Sequence, residues 1–554
     1  MPLETALEEV DRLVDAFVPA NPAPGVAYGV FVGGALVHAR GIGTTDIGRD
    51  DPPTADTVFR IASMTKSFTA AALLLLRDDG LLDLDDPVAN HVAELRGTRP
   101  ITIRQLLTMS SGLPTDDPWG DRQQDLDLGS FAAFLAGGQS FAWTPGTAFE
   151  YSNLGYGILG RVITNVAGQE YRDVVHVRLL EPLGMTSTAY EAGDFPEERL
   201  ATGYVRRDDA YVVEPFDGYG ALASMGGLFS TVRDLGRWMD GFTRASAGED
   251  DDHPLSLASR LEMQQAHRAF PPELTWTSIT ELPNVFVAGY GFGLMARQDM
   301  ELGEVIGHSG GYPGFGSHFR WHPASGLGLA VLGNRTYFPA DTIAAQMLRT
   351  LVKGEAAPVR RLSSSAALDR ARDDIERLLS SWDDDLARGT FSMNVDLDEP
   401  LEHRRAAIER LRETHGELRR SDEPATGDSS FHLKWWLEGD RGRVQAEIML
   451  DPQPTPKVQS LELTSVPEPD PRVRAAAEAQ VAAANGDGSE PSLVLVRTLF
   501  GRCTMGRPIA ADALSATFRV SGERGELDLA VTIDGTTGGL ASATWTPRLT
   551  RPPL

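Results

Sequence analysis

A serine and a lysine three positions apart stand where a strand-like segment gives way to a helical one. They are Ser63 and Lys66, and the chain has only four lysines. Residues three apart share a helix face, so the lysine amine is expected beside the serine hydroxyl. The start of a helix also offers free backbone N–H groups to a developing oxyanion. The pattern predicts a nucleophilic serine served by a lysine; the alternative makes Ser63 a helix cap and Lys66 a solvated residue.

A second polar cluster precedes another predicted helix. It is Tyr151-Ser152-Asn153, the single Y-x-N of the chain. A tyrosine phenol near Lys66 could exchange protons with Ser63 and with a leaving group, while Asn153 hydrogen-bonds the substrate. The alternative is structural, with Asn153 capping the helix and Tyr151 anchoring its first turn.

The third cluster is rich in glycine and contains His308, Ser309, Gly310 and Gly311. An imidazole at position 308, on an edge strand beside the pocket, could polarise the substrate. Gly310 and Gly311 would let a backbone N–H approach an oxyanion closely, and we count Ser309 among the substrate-binding residues. The alternative is a glycine-rich strand end with a surface histidine.

The same segment also satisfies G-x-S-x-G, the nucleophile elbow of α/β-hydrolases, with Ser309 at its centre. That motif requires a strand before the serine and a helix immediately after it. Residues 312–316 contain two glycines and a proline, which disfavour a helix. We therefore expect this match to be fortuitous.

The periodicity around these clusters predicts an α+β fold with helices packed on one antiparallel sheet. Helical patterns cover residues 4–17, 63–76, 101–109 and 153–168. Strand patterns cover residues 25–32 and 35–40, and then 305–306, 317–322 and 326–332. Residues 1–355 form the predicted catalytic domain, and residues 352–365 have the composition of a linker.

Beyond the linker we predict two helix-plus-meander units, residues 366–468 and 469–554. A short motif supports a duplication, since Gly439-Asp440-Arg441-Gly442 resembles Gly522-Glu523-Arg524-Gly525 and both stand between strand patterns. Two unrelated hairpins would give the same likeness by chance. In either case the C-terminal part is expected to be α+β.

Composition excludes several classes of function. The formal charge of −27 argues against nucleic acid and anionic membranes as partners. Cys503 is the single cysteine, so an internal disulfide is excluded. Residues 1–10 have neither a basic nor an apolar stretch typical of a secretory signal, and the longest apolar run, residues 70–76, is too short to span a bilayer. We expect a cytoplasmic protein.

No metal or cofactor is expected. The histidines at positions 403, 415 and 432 fall on different predicted elements, and neither H-E-x-x-H nor C-x-x-C occurs. The glycine-rich segments also lack the strand and helix context of nucleotide-binding loops.

The order of the three clusters resembles the penicillin-recognising serine hydrolases, specifically their class C β-lactamase-like branch. That branch has S-x-x-K, then Y-x-N, then K-T-G or H-x-G, and it includes family VIII esterases, D-aminopeptidases and DD-peptidases. Residues 101–114, 183–187 and 224–230 also look like this branch, and the resemblance covers residues 4–350. It implies a β-lactamase/transpeptidase-like fold, in which an all-helical subdomain joins a sheet flanked by helices.

The resemblance also implies roles for individual residues. Ser63 would be the nucleophile, Lys66 and Tyr151 would share the general base and acid duties, and the N–H groups of Ser63 and Gly311 would form the oxyanion hole. His308, also counted as catalytic, stands where other members have a lysine. A neutral histidine supplies no fixed positive charge for a substrate carboxylate, which weakens assignment as a β-lactamase.

The function implied is acyl transfer through an acyl-Ser63 enzyme acting on small esters, amides or peptides, including peptides with D-residues. The alternatives are an acyltransferase, a peptide-cyclising thioesterase of the same fold, and a non-catalytic scaffold. The expected partner is a small molecule or a peptide. The C-terminal units are expected to shape access to the site or to form a homo-oligomer.

Overall fold

The structure is a computed structural model, and it describes residues 2–249, 251–270, 273–275, 284–299, 302–354, 357, 365–486, 489–523 and 525–548. The chain divides into two compact units, residues 1–274 with 285–360 and residues 275–284 with 361–554. Most of the predicted linker, including residue 355, lies outside the described residues. All three clusters of predicted site residues belong to the first unit.

The described part of the first unit contains eleven α-helices. They are α1 (Leu3–Ala20), α2 (Thr65–Asp78), α3 (Ile103–Leu107), α4 (Asp117–Gly120), α5 (Leu128–Ala136), α6 (Asn153–Ala167), α7 (Tyr171–Val175), α8 (Ala223–Gly226), α9 (Val232–Ser246), α10 (Leu257–Met263) and α11 (Ala340–Lys353). A π-helical segment, His176–Leu180, continues α7. Short 3-10 helices cover Ala62–Met64, Val88–Asn90, Ala93–Leu95, Ala192–Asp194 and Glu197–Arg199.

The described residues up to the linker also contain thirteen strands. They are β1 (Gly25–Val32), β2 (Ala35–Gly43), β3 (Phe59–Arg60), β4 (Tyr204–Arg207), β5 (Ala210–Val213), β6 (Phe229–Ser230), β7 (Arg268–Ala269), β8 (Glu273–Thr275), β9 (Asn284–Tyr290), β10 (Met295–Asp299), β11 (Gly303–Tyr312), β12 (Phe315–His322) and β13 (Leu327–Gly333). Between β3 and β6 the chain is mainly helical, which corresponds to the predicted helical subdomain.

The main sheet has the strand order β2-β1-β13-β12-β11-β10-β9-β7, and β8 pairs with β9. Every pairing along this order is antiparallel. The predicted strand pair β1–β2 is confirmed, and it closes on Gly33 and Gly34, whose φ angles of 53° and 79° suit a two-residue hairpin turn. The predicted adjacency of β11, β12 and β13 is also confirmed.

Both faces of this sheet are covered by helices. Along β1, Val26 and Val30 belong to a core shared with α1 and α11. Ala27 and Phe31, each next in sequence to one of these valines, belong to the larger core, which also contains side chains of α2 and α9. This alternation follows from the two-residue period of a strand. The predicted α+β class, an antiparallel sheet flanked by helices, is confirmed.

The second unit is also α+β. Its helices are α12 (Ala366–Ser380), α13 (Asp384–Thr390), α14 (Met393–Asp398), α15 (Leu401–His415), α16 (Pro471–Asn485) and α17 (Pro491–Phe500). Its strands are β14 (Arg419–Arg420), β15 (Thr426–Ser429), β16 (His432–Gly439), β17 (Gly442–Leu450), β18 (Val458–Pro467), β19 (Cys503–Ala511), β20 (Ser515–Gly522), β21 (Gly525–Ile533) and β22 (Leu540–Pro547). They form a five-stranded sheet, β14 to β18, and a four-stranded meander, β19 to β22.

The two C-terminal sheets share a hairpin geometry. In β16–β17, Gly439 pairs with Gly442, and in β20–β21, Gly522 pairs with Gly525. Each sheet packs with preceding helices into a hydrophobic core of its own. Arg524 of the repeated motif lies outside the described residues. The duplication and the boundary after residue 468 stay predictions.

Three further features concern the described residues as a whole. No helix among them has both the length and the apolar composition needed to cross a bilayer. They also contain no group of three His, Cys, Asp or Glu side chains placed to hold a metal ion. Cys503 is a buried free thiol.

Candidate active site

Ser63 lies in a sharp turn between a strand and a helix. Strand β3 pairs with β6, and the Ile61 N–H then donates to the Leu228 carbonyl at 2.9 Å. Ala62 adopts a left-handed φ of 49°, which costs a residue with a Cβ roughly 1–2 kcal/mol. The 3-10 turn Ala62–Met64 leads directly into α2. Strained residues of this kind are concentrated at functional sites, and this one directs Ser63 to the start of a helix.

Lys66 lies in the first turn of α2 and is completely buried. Its Nζ donates to Ser63 Oγ at 2.9 Å, to Asn153 Oδ1 at 2.7 Å and to the Met225 carbonyl at 2.8 Å. These acceptors match the three hydrogens of an ammonium group. The alternative of a solvated lysine is therefore wrong.

The pKa of Lys66 is lowered to about 8. Burial is the main cause, because removing an ammonium group from water disfavours its charged form. The negative charges of Asp117, Asp121 and Asp116 oppose this effect. Lys66 can therefore gain and lose a proton near neutral pH.

Tyr151 lies beside Lys66, just before α6. The Lys66 Nζ is 4.9 Å from the centre of the Tyr151 ring. Burial raises the pKa of the Tyr151 phenol well above its usual value, and hydrogen bonding with Ser63 only partly opposes this increase. The phenol is therefore protonated at neutral pH and can donate a proton.

Asn153 begins α6, but Ser152 caps the helix, since the Ser152 hydroxyl accepts from the Gly155 N–H. The backbone N–H groups of Asn153 and Leu154 donate to Asp116 at 2.7 and 2.8 Å. The Asn153 side chain joins two other groups: its Oδ1 accepts from Lys66 and its Nδ2 donates to Asp117 at 2.7 Å. Both ends of the amide expected to bind substrate therefore have protein partners.

His308 lies on β11, which runs between β10 and β12, so the expected edge strand is wrong. His308 is buried, and burial followed by the nearby charge of Lys66 lowers its pKa to about 3. Its Nδ1 is 2.6 Å from the Ser309 carbonyl, which can only accept, so Nδ1 carries the proton. Its Nε2 then accepts from the Tyr290 hydroxyl at 2.9 Å. Both ring nitrogens are therefore occupied by the protein, and the ring is neutral.

Gly310 and Gly311 allow other parts of the chain to approach β11 closely. A Cβ at Gly310 would lie 2.2 Å from the Ile61 carbonyl oxygen, in the turn that leads to Ser63. The Ser317 hydroxyl donates to the same carbonyl at 2.8 Å. A Cβ at Gly311 would lie 2.6 Å from the Tyr337 ring. Residues with side chains at these two positions would displace the turn or the ring.

Ser309 points away from this site. Side chains alternate along β11, and the Ser309 Oγ lies 2.9 Å from His318 Nδ1 on the opposite face from His308. Arg320 Nε donates to His318 Nε2 at 2.9 Å, so a neutral His318 carries its proton on Nδ1 and donates to Ser309. Burial lowers the pKa of His318 well below its usual value. His318 therefore cannot act as a base for Ser309, and the Ser309 side chain does not line the site around Ser63.

The main chain around Ser309 also differs from a nucleophile elbow. Strand β11 continues through Ser309 to Tyr312, and β12 begins at Phe315. The helix that the elbow requires does not follow.

A family model described as Beta-lactamase matches residues 10–353, more than half of the chain. The chain belongs to the beta-lactamase family. This places it within the penicillin-recognising serine hydrolases, as the three motifs implied. The matched segment includes Ser63, Lys66, Tyr151 and His308.

Two named proteins are similar to this chain over more than half of its length. Protein flp from Staphylococcus aureus (strain NCTC 8325 / PS 47) is 27% identical over 338 residues, which are 59% of this chain and 63% of that protein. The match thus spans less than two thirds of the length of Protein flp. The D-alanyl-D-alanine-carboxypeptidase/endopeptidase AmpH from Escherichia coli (strain K12) is 29% identical over 350 residues, which are 60% of this chain and 85% of AmpH.

One solved structure shares the fold along nearly the whole chain. The octameric penicillin-binding protein homologue from Pyrococcus abyssi gives a TM-score of 0.55 at 20% identity, with 98% of both chains covered. The likeness therefore includes the C-terminal unit as well as the beta-lactamase segment.

Several groups in this site were not predicted from the sequence. Asp116 and Asp117 contact the Asn153 backbone and side chain, the Met225 carbonyl contacts Lys66, and Tyr290 contacts His308. The only signal for the aspartates was an acidic pair after a proline-containing turn, in a chain with many acidic residues. A backbone carbonyl leaves no trace in the sequence.

Proposed function

We propose that the protein is a serine hydrolase that forms an acyl-enzyme on Ser63 with small esters or amides, including peptides with D-residues. The observation that carries this proposal is the environment of the Lys66 amine. That buried amine lies 2.9 Å from Ser63 Oγ, and protein carbonyl groups occupy its other two hydrogen-bonding directions. Membership in the beta-lactamase family supports the same chemistry.

The arrangement around Lys66 suits removal of the Ser63 proton. A neutral amine has two hydrogens and one lone pair. When the hydrogens donate to Asn153 Oδ1 and the Met225 carbonyl, the lone pair faces Ser63 Oγ. Lys66 then takes the hydroxyl proton as Oγ attacks the substrate carbonyl carbon, whose oxygen becomes an oxyanion. We assign the N–H groups of Ser63 and Gly311 to stabilise this oxyanion.

The pKa values favour Lys66 as the base and Tyr151 as the acid. With a pKa of about 8, about a tenth of the Lys66 amine is neutral at pH 7. The raised pKa of Tyr151 keeps its phenol protonated, so it can give a proton to the departing alcohol or amine. After this step Lys66 is protonated and Tyr151 is a phenolate. Tyr151 then takes a proton from the attacking water, and Lys66 returns a proton to Ser63 Oγ as the acyl group leaves.

Charges near Ser63 favour substrates without a carboxylate. Three carboxylates act on Lys66, namely Asp116, Asp117 and Asp121. The buried Arg60, three residues before Ser63, lies 3.6 Å from Asp217, and His308 is neutral. A negatively charged substrate would therefore meet more negative than positive charge. This balance of charge supports neutral esters and amides over β-lactams as substrates.

The cytoplasmic location expected from the sequence stays a prediction.

A fluorophosphonate tests the proposed nucleophile directly, because the probe forms a stable bond with an activated serine. We expect one adduct per chain, located on Ser63 by peptide mass spectrometry, and no adduct on heat-denatured protein. An adduct on Ser309 and not on Ser63 would identify Ser309 as the nucleophile. A wild-type protein that stays unlabelled under conditions that label a known serine hydrolase would favour the non-catalytic scaffold.

The C-terminal unit supports a second, structural proposal, that the protein forms a homo-oligomer through this unit. Met393 and Leu397 lie one turn apart on α14 and are 76% and 74% exposed. Exposed apolar side chains mark protein contacts when they lie together in a patch and not when they are scattered singly, and the fold-sharing homologue from Pyrococcus abyssi is described as octameric. We expect light scattering to give a mass above the 59.9 kDa of one chain and M393D/L397D to lower it. A monomeric wild type would contradict the proposal.

A further inference from the structure

The Asn153 side chain connects Lys66 with a carboxylate that does not itself contact Lys66. Asn153 is completely buried, its Oδ1 lies 2.7 Å from Lys66 Nζ, and its Nδ2 lies 2.7 Å from Asp117 Oδ1. Asp117 is the first residue of α4, and α4 approaches α6 so closely that a Cβ at Gly120 would lie 3.0 Å from the Asn153 Cβ. The three side chains form a chain of hydrogen bonds that ends at the amine beside Ser63.

This chain allows only one orientation of the amide. The carboxylate of Asp117 accepts hydrogen bonds, and the amine hydrogens of Lys66 are donated. If the Asn153 amide were turned over, its NH₂ group would face the hydrogens of Lys66 and its oxygen would face the carboxylate of Asp117. Such a buried pair of mismatched contacts is costly, so Asp117 holds Asn153 Oδ1 toward Lys66.

We propose that Asp117 is a positioning residue that acts through Asn153 to aim the Lys66 lone pair at Ser63 Oγ. The inference rests on the proposed function, because only a base has a lone pair to aim. It adds a residue outside the three motifs, and it gives the Asn153 amide a role toward Lys66 instead of toward the substrate.

Asp117 has a second effect on Lys66, through its charge. The titratable groups that face Lys66 are Asp116, Asp117 and Asp121 from segment 116–121, Tyr151 and Tyr156 from the chain before and within α6, and His308 from β11. Among the carboxylates, Asp117 contributes most to raising the pKa of Lys66 against the effect of burial. Removal of this charge disfavours the ammonium form, so the amine would become neutral at a lower pH.

Two substitutions separate the two effects. Asp117→Asn retains an oxygen that can accept from Asn153 Nδ2 but removes the charge. Its kcat at high pH should stay within about threefold of wild type, while the acid limb of its kcat/KM profile moves to lower pH. Asp117→Ala removes both the acceptor and the charge. It should lower kcat at high pH by about 100-fold with little change in KM, the size of effect expected when a catalytic group is misplaced.

Asp121→Asn is the matched control. It removes a charge from the same segment, but Asp121 accepts from the Tyr337 hydroxyl at 2.6 Å and has no bond to Asn153. Its kcat at high pH should stay within about threefold of wild type. Thermal unfolding of each variant identifies a loss of fold, and if Asp117→Ala does not fold, Asp117→Leu, which also lacks an acceptor for Asn153 Nδ2 but fills more of the space, is measured in its place.

The outcomes distinguish this inference from the proposed function. Wild-type protein that takes no fluorophosphonate adduct on Ser63 would overturn the proposed function. A wild type that is labelled on Ser63, together with a folded Asp117→Ala variant that is labelled and turns over at the wild-type rate, would overturn the role of Asp117 alone. An unchanged acid limb in Asp117→Asn would contradict the second effect, that of the Asp117 charge on the pKa of Lys66.

Discussion

Replacing Ser63 with alanine is expected to lower kcat/KM by about 10⁴-fold or more. The substitution removes the oxygen that would attack the substrate, and no nearby group can take its place, since Lys66 and Tyr151 act only on protons in the proposed mechanism. Hydrolysis of p-nitrophenyl acetate and of D-alanine p-nitroanilide measures the loss. The substrate that the wild type prefers separates an esterase from an aminopeptidase.

Ser309→Ala is the matched control for this substitution. Ser309 has the same side chain, also lies beside a histidine, and satisfies a competing catalytic motif. Because His318 donates to Ser309 and cannot take its proton, we expect activity within about threefold of wild type for this variant. If Ser309→Ala abolished turnover and Ser63→Ala spared it, the assignment of the nucleophile would be wrong.

The contacts that the sequence predicted are those between residues close along the chain. Ser63 and Lys66 lie in consecutive turns of one helical segment, so their spacing alone places the amine near the hydroxyl. Strands β1 and β2, and likewise β11 and β12, are joined by short turns rich in glycine, so their pairing could be read from local pattern. The α+β class follows from these local elements.

The contacts that were missed join distant parts of the chain. Met225 follows Lys66 by 159 positions, and Asp117 precedes Asn153 by 36. A strand pattern does not indicate which other strands will pair with it, so the prediction that His308 lies on an edge strand is wrong: β10 pairs with β11. The sequence placed His308 in the site but did not reveal that Tyr290 and the Ser309 carbonyl occupy its ring nitrogens.

Ser309 illustrates a different kind of error. Its motif placed it in the site with its neighbours, yet successive residues of a strand face opposite sides. Because His308 and Gly310 lie on the face of β11 toward Ser63, Ser309 lies on the opposite face, toward the core shared with α1 and α11. The predicted strand covers only residues 305–306, whereas β11 extends over Gly303–Tyr312, and the alternation at Ser309 follows from that full length.

In the C-terminal unit, the repeated G-x-x-G motif predicts two similar hairpins but does not by itself establish a duplication. The two G-x-x-G hairpins have the same register, and each sheet has helices before it. The arrangements still differ, since the first sheet has five strands and the second has four. Common descent of the two units is therefore one explanation of the hairpins, and the general preference for two-residue turns is another.

Replacing Lys66 with methionine is expected to lower kcat/KM by about 10³-fold and to remove its acid limb. Methionine is an unbranched side chain that can fill the buried space but cannot accept the Ser63 proton. In the wild type, kcat/KM should rise as pH increases through about 8, because the neutral amine that acts as the base forms as the pH passes the lowered pKa of Lys66. A profile of kcat/KM from pH 5 to 10, with thermal unfolding as a check of the fold, measures both effects.

Lys434→Met makes the same chemical change elsewhere in the chain and serves as the control. Lys434 is partly exposed and pairs with Glu447 at 2.8 Å, an ion pair whose loss should cost at most about 1 kcal/mol of stability and leave the kinetics unchanged. The profile of Lys66→Met also decides between the two candidate bases. If Tyr151 were the base, an acid limb would persist without Lys66 and would lie at high pH, because burial raises the pKa of that phenol. A persistent limb in Lys66→Met would therefore transfer the role of base to Tyr151 and leave Lys66 to stabilise charge.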